Sequence, residues 1–238
     1  MAGPTNSCDE TFNYCLLGID LMNAQSKKSK NSQYAITPST PRGKIRLAMA
    51  LEKLLEKRDF NSITIAEISR VSGVNESLVY RYFNGKRGLL HYVLAEHQRK
   101  SLYQLYADLV AITGAVNKIK RLIWRTIDNW NKNRVVAKVL LIEVRNYPGY
   151  YKSETYHIIR EYCKLILSLI KEGINNGEIR DDVSPWYLMQ VLLGGIEHIV
   201  LPILIFDREF DVDSCAENLF QILFERVLTP EKKKALDG

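Results

Sequence analysis

From Arg42 to the C-terminus, nearly every segment of this 238-residue chain repeats its apolar residues at intervals of three and four. No stretch alternates with period two, so sheet architectures are excluded and the chain reads as all-α. Ile45, Ala48, Met49, Leu51, Leu54 and Leu55 mark one face of a first helix. Lys86 to about Thr113 reads as one long helix, carried by Leu89, Leu90, Val93, Leu94, Leu102, Leu105, Leu109 and Val110. Further helices are expected near 115–131, 134–146, 153–175, 185–206 and 213–228. Gly177 is placed to stop one of them, and Ser184-Pro185 to start another. Residues 1–40 differ. Ser, Thr, Asn, Gln and Pro dominate from Asn23 to Pro41, which predicts a flexible lead. Thr11 to Met22 is either a short helix or sequence upstream of a true start at Met22.

Charge is unevenly placed. Residues 1–26 hold Asp9, Glu10 and Asp20 and no Lys or Arg, a balance of −3. Residues 27–90 carry +8 and residues 91–238 carry +1. A basic N-terminal third on a near-neutral remainder fits a polyanion partner, or else a solvated lysine tail through Lys27, Lys28 and Lys30. Cys8, Cys15, Cys163 and Cys215 lack metal-ligand spacing and are too few for a disulfide scaffold, which fits a reducing cytoplasm. The longest apolar stretch, Val191 to Phe206, is short for a membrane span and carries Glu197 and His198. Asp9 and Glu10 stand where a secretion signal needs positive charge. A cytoplasmic protein without a membrane partner is expected.

Between the first helix and the long one lies a compact pattern. Thr64 followed by Glu67 makes a capping box for a helix over Ile65 to Val71. Ser72-Gly73-Val74 follows as a turn whose glycine can take the left-handed conformation, and Asn75 can cap a second helix through Tyr82. Ile68, Val74 and Val79 are spaced to fill the angle between the two helices, and Ser69 is small enough to let them approach. By spacing alone this is either an ordinary helical hairpin or a helix-turn-helix whose second helix enters a major groove.

The string IAEISRVSGVNESLVYRYFNGKRGLL, preceded by Phe60 and an amphipathic helix, resembles the TetR family of bacterial transcriptional regulators. About 50 residues, from Ile45 to Leu90, carry the resemblance by motif, and the rest of the chain only by helical layout. It implies a DNA-binding unit at 41–87 and a helical effector-binding and dimerisation unit at 88–238. It also implies that Tyr80, Tyr82 and Lys86 meet phosphates, that Thr64 caps its helix and binds phosphate, and that Arg42 reaches the backbone. Glu76, Ser77 and Leu78 occupy the base-reading positions. Glu76 departs in charge, though it can accept from cytosine N4. Leu78 replaces a hydroxyl and can only pack against a thymine methyl or sugar, and Ala66 lacks a long side chain. Arg81 is the remaining guanine or phosphate candidate.

Two features of the C-terminal part stay open on sequence alone. Trp124, Trp130, Tyr147 and Met189 line an effector cavity or pack a core. Ile196, Leu204, Phe220, Leu223 and Phe224 belong to helices that either bury themselves in one subunit or pair with a second copy. Glu154-x-x-His157 lacks the second half of a di-iron site, and His91 and His97 fall on different helix faces. No serine or cysteine has a readable base, so no catalysis, metal or cofactor is expected. The resulting expectation is a homodimeric, ligand-responsive repressor on a pseudo-palindromic DNA operator, with an apolar acyl or aromatic small-molecule effector. An activator or architectural DNA-binding protein without effector is one alternative, and a helical carrier or enzyme another.

Overall fold

The structure, a computed structural model, describes residues 41–237. The expected lead at 1–40, with its helix at 11–22, lies outside the described residues. In order, the chain forms α1 (Arg42–Leu55), a 3-10 turn (Phe60–Ser62), α2 (Ile65–Ser72), α3 (Ser77–Phe83) and α4 (Lys86–Val110). Then come α5 (Ala115–Lys132), α6 (Arg134–Lys138) leading into a π-helical turn (Val139–Glu143), and a second 3-10 turn (Tyr150–Lys152). The elements α7 (Glu154–Asn175), α8 (Pro185–Ile205), α9 (Val212–Phe224) and α10 (Pro230–Asp237) complete it. Among the described residues the β pairing is one isolated bridge, Ile179 to Leu228.

The differences from the expected boundaries have local causes. The helix expected to reach Thr113 ends at Val110, ahead of Gly114, whose φ of +85° is a left-handed turn. The helix expected over 134–146 changes to π-helical bonding at Val139. The last long helix stops at Phe224, because the Arg180 N–H donates to the Val227 carbonyl at 2.9 Å and draws the strand-like end away. α10, a lysine-rich segment without an apolar repeat, was not expected.

Two buried clusters divide the side chains. The first runs from Leu47 to Leu94 and is closed by Leu140, Val144 and Tyr150 from far along the chain. The second begins at Ala95 and extends to Leu228. α4 therefore threads both, so the first core continues past residue 87 through Leu89, Leu90, Val93 and Leu94. Gly88 lets α4 touch the end of α3: a Cβ there would lie 1.7 Å from the Phe83 carbonyl oxygen.

α8 is 21 residues long and contains an 18-residue stretch of mean hydropathy 1.9, enough by length and composition to cross a membrane. The expectation of too short a span counted only from Val191, whereas the helix starts at Pro185 with proline in its first turn. Leu188, Met189, Leu192, Ile196, Val200 and Leu204 turn inward. Tyr187, Val191, Ile199 and Ile205 turn outward. Gly195 thins α8 against α9, where an added Cβ would meet Leu219 at 3.1 Å, while Gly194 has nothing within 4 Å.

Candidate nucleic-acid interface and effector cavity

The α2–turn–α3 unit is held by a closed set of local bonds. The Thr64 hydroxyl oxygen accepts from the Glu67 N–H at 3.2 Å, and Glu67 accepts from the Thr64 N–H at 2.9 Å, forming the expected capping box. That backbone N–H, Arg58 at 2.7 Å and the Thr64 hydroxyl hold the Glu67 carboxyl down to about 2. Gly73 adopts φ +62°, and the Ser69 hydroxyl donates to the Val74 carbonyl across the turn. Asn75 Oδ1 accepts from the Ser77 N–H at 2.9 Å and so closes the turn ahead of α3, while the residue flanking that helix is Glu76, whose side chain makes no capping bond.

This frame leaves one side of α3 open. Glu76, Ser77, Tyr80 and Arg81 are exposed, with Tyr80 at 60%. Arg42 is exposed at the start of α1. Arg46, which sequence reasoning passed over, lies beside the turn, with its guanidinium 2.6 Å from where a Cβ on Gly73 would be. Leu78 and Tyr82 differ from their neighbours. Both are half-buried, and both pack near Gly43 of α1, within 4 Å of where its Cβ would stand. Leu78 thus fills the α1–α3 contact as well as lying in the base-reading run.

Lys86 folds inward. Its ammonium donates to the carbonyls of Phe60 at 2.9 Å and Ile63 at 2.6 Å and sits 4.4 Å from the Phe60 ring centre. Burial, and the Arg87 charge beside it, lower its pKa. It pins the turn that precedes α2, with one N–H left to point elsewhere.

A cavity of about 130 Å³ lies in the body among α4, α5, α6, α7 and α8. Trp130, Leu102, Ala137, Leu140, Ile158 and Ile196 give it apolar walls, and Gln98, Tyr162, Arg145 and Glu197 give it polar ones. Arg145 makes a bidentate pair with Glu197 at 2.8 and 2.6 Å, which raises the arginine pKa. The Tyr162 hydroxyl bonds to Thr126, and burial pushes the phenol pKa up. Gln98 Oε1 is buried and has no hydrogen-bond partner.

Of the four residues expected at a cavity, Trp130 lines this one. Trp124 instead lies beside α9, its indole N–H donating to Asp213 and Arg121 stacked on it at 4.4 Å. Tyr147 is exposed near the DNA-binding unit under Arg87, and Met189 is buried in the core. The residues expected at an interface or in the protomer core lie mostly inside the protomer. Leu204, Phe220 and Phe224 are buried within the protomer, Phe224 fully, and Ile196 faces the cavity; Leu223 is half-buried. Apolar periodicity marked these helices without telling their inner face from their outer one. Outside the interior lie Tyr187, Val191, Ile199, Phe206 and, at 76% exposure, Ile222.

A capped helix-turn-helix with an open second helix, carried on a helical body that encloses a cavity, defines a DNA-binding regulator. Residues 96–226 match the family described as YsiA-like protein, C-terminal region, and residues 49–93 match the bacterial regulatory proteins of the tetR family. The chain belongs to the TetR family and is a transcriptional regulator. It is 19% identical over 174 residues to the fatty acid metabolism regulator protein of Bacillus subtilis, covering 73% of this chain and 90% of that one. Its fold is similar to that of the fatty acid degradation regulator FadR from Bacillus halodurans, with a TM-score of 0.70 at 17% identity over 77% of this chain and 95% of the other. FadR from Bacillus subtilis in complex with stearoyl-CoA gives a TM-score of 0.69 at 18% identity, over 75% and 96% of the two chains.

Proposed function

We propose that this regulator is a ligand-responsive repressor acting as a cytoplasmic homodimer on a pseudo-palindromic operator, with residues 41–87 as the DNA-binding head and 88–238 as the effector-binding body. An acyl compound, such as a fatty acyl-CoA, is the effector class we favour. The observation that carries this reading is the lining of the cavity: apolar walls beside polar groups at Gln98 and Tyr162 suit an acyl segment with a polar end, and at about 130 Å³ the cavity must widen to admit a long chain. The relatives named for fatty acid regulation support it.

On DNA, Tyr80, Tyr82, Arg42, Thr64 and the remaining N–H of Lys86 would meet phosphates, while Glu76, Ser77 and Arg81 would lie nearer base edges, with Leu78 at their inner margin. The outward residues of α8 and α9, Tyr187, Val191, Ile199 and Ile222, would pair with their copies about a two-fold axis. That covers an apolar face that would otherwise stand in water.

The test combines two measurements on purified protein. Operator selected from random DNA is titrated with and without stearoyl-CoA, while Trp130 reports cavity occupancy by fluorescence. Linkage requires the ligand to weaken operator binding by the factor with which operator weakens ligand binding. Equal operator affinity in the presence and absence of bound stearoyl-CoA overturns the acyl-effector reading. A selection that yields no preferred DNA sequence overturns operator recognition.

A further inference from the structure

The cavity has one wall residue whose hydrogen bond leaves the body. His97, on α4, lines the cavity, and its Nε2 bonds to the carboxylate of Glu52 on α1. Both side chains are largely buried, 13% and 17% exposed. The same histidine also lines an open cleft of about 880 Å³ between α1 and the α5–α6 corner, together with Arg46, Glu52 and Arg134. His97 therefore stands between two spaces, with the ligand cavity on one side and the first helix of the DNA-binding unit on the other. Beside it, Gln98 presents an unpartnered oxygen inside the protein.

A ligand moves a conformational equilibrium only by binding one state better than the other. Filling an apolar cavity supplies such a difference only where the shape of the cavity, or the partner of a wall group, differs between the two states. His97 has that character, since an imidazole Nε2–H facing a carboxylate can be taken by another acceptor oxygen. We propose that the His97–Glu52 bond is a strut coupling the cavity to the DNA-binding head. An effector carrying an acceptor oxygen, either a thioester carbonyl or a free carboxylate, takes the imidazole N–H and releases Glu52. α1 then loses this tie to α4, keeping the Lys44 ammonium over the Tyr92 ring at 4.2 Å, and the head can change its angle about that contact. This inference rests on the acyl reading for the identity of the competitor, and on the geometry alone for the strut.

Glu52 is not part of the cavity wall, so replacing it leaves the ligand's surroundings intact. In Glu52→Ala, the ligand no longer competes for His97. Its affinity should rise by about tenfold, the worth of a charge-assisted hydrogen bond at its lower end. Operator affinity without ligand should fall toward that of the liganded parent, and the ratio of operator affinities with and without ligand should approach one. Glu52→Gln keeps an acceptor oxygen at the same reach but not the charge, and should restore parental behaviour in both only in part. A merely structural role for Glu52 would weaken operator binding without tightening ligand binding.

The experiment uses the full chain, calorimetry with stearoyl-CoA and, separately, with stearate, and titration of the selected operator duplex. Whichever probe tightens in Glu52→Ala identifies the competing oxygen as thioester or carboxylate. Parental ligand affinity in Glu52→Ala, with an unchanged operator ratio, refutes the strut and leaves the acyl reading standing. If the parent binds neither probe, the acyl reading falls, and operator affinity decides the strut. A loss in Glu52→Ala at parental melting temperature, rescued by Glu52→Gln, supports it; parental affinity in Glu52→Ala, or a loss that follows a lowered melting temperature, refutes it.

Discussion

Gly88→Ala probes the joint between the helix that would read DNA and the helix that carries its signal. The glycine is the third residue of α4, and its added methyl would stand 1.7 Å from the Phe83 carbonyl oxygen and 2.8 Å from its carbon. A relaxed C···O contact is about 3.3 Å, so the two backbones must separate by roughly 1.6 Å. No rotamer relieves this, because the atoms struck belong to the main chain. Overpacking of that kind costs up to about 3 kcal/mol. Alanine's better helix propensity returns about 1 kcal/mol. The net is a destabilisation of about 2 kcal/mol, or roughly 4–8 °C in melting temperature for a chain of this size. Since the displaced carbonyl belongs to the last residue of α3, operator affinity should fall by about tenfold or more, the worth of one base contact. Urea titration followed by circular dichroism, beside operator titration, measures both. A Gly88→Ala protein more stable than the parent, with unchanged operator affinity, refutes the reasoning.

Other outcomes follow from separate parts of the molecule. Glu67 is held near 2, below its ordinary 4.5, so the stability it contributes is complete above pH 4.5 and is lost as pH falls through about 2. Urea melts across that range should show Glu67→Gln losing less stability on acidification than the parent. Ile222→Asp should give a monomer by light scattering with parental helicity, because a symmetric interface would bury the unpaired charge twice. Phe224→Asp should unfold the protomer instead, its site being fully buried. Tyr80→Phe should weaken operator binding evenly across sequences, whereas Arg81→Ala should change base preference by about 1–3 kcal/mol at one position, read from single-base operator variants.

The DNA-binding unit was legible because its signals are local. Thr64 and Glu67 are three residues apart, Gly73 needs only its own φ, and Asn75 closes the turn that follows it. The body was legible only as helices. Phe220 and Phe224 stack at 5.0 Å inside the protomer, and an all-apolar helix gives no hint of which face its own core takes. Trp124 is drawn to Asp213, 89 residues away, and Tyr147 lies under Arg87 of the head. His97 was set aside because its pairing with His91 failed, while its actual partner, Glu52, lies 45 residues upstream. Lys86 matched a motif, yet two carbonyls of the 60–63 turn claim most of its donors. Each of these depends on chain segments that meet only after folding.

The head's core is closed by Leu140, Val144 and Tyr150, which arrive from the π-helical turn and the loop behind it. This sets a rule for transplantation. A fragment ending at residue 87 would carry the whole helix-turn-helix and still expose the apolar floor on which those three side chains rest. Grafted onto the body of another regulator, it would bind DNA faithfully only if the host supplied a matching 139–150 segment. Heads and bodies of this protein are therefore not interchangeable parts. The inherited unit is the helix-turn-helix together with a distant clasp, and recombination that separates the two would yield a protein with the right recognition helix on an unfinished foundation.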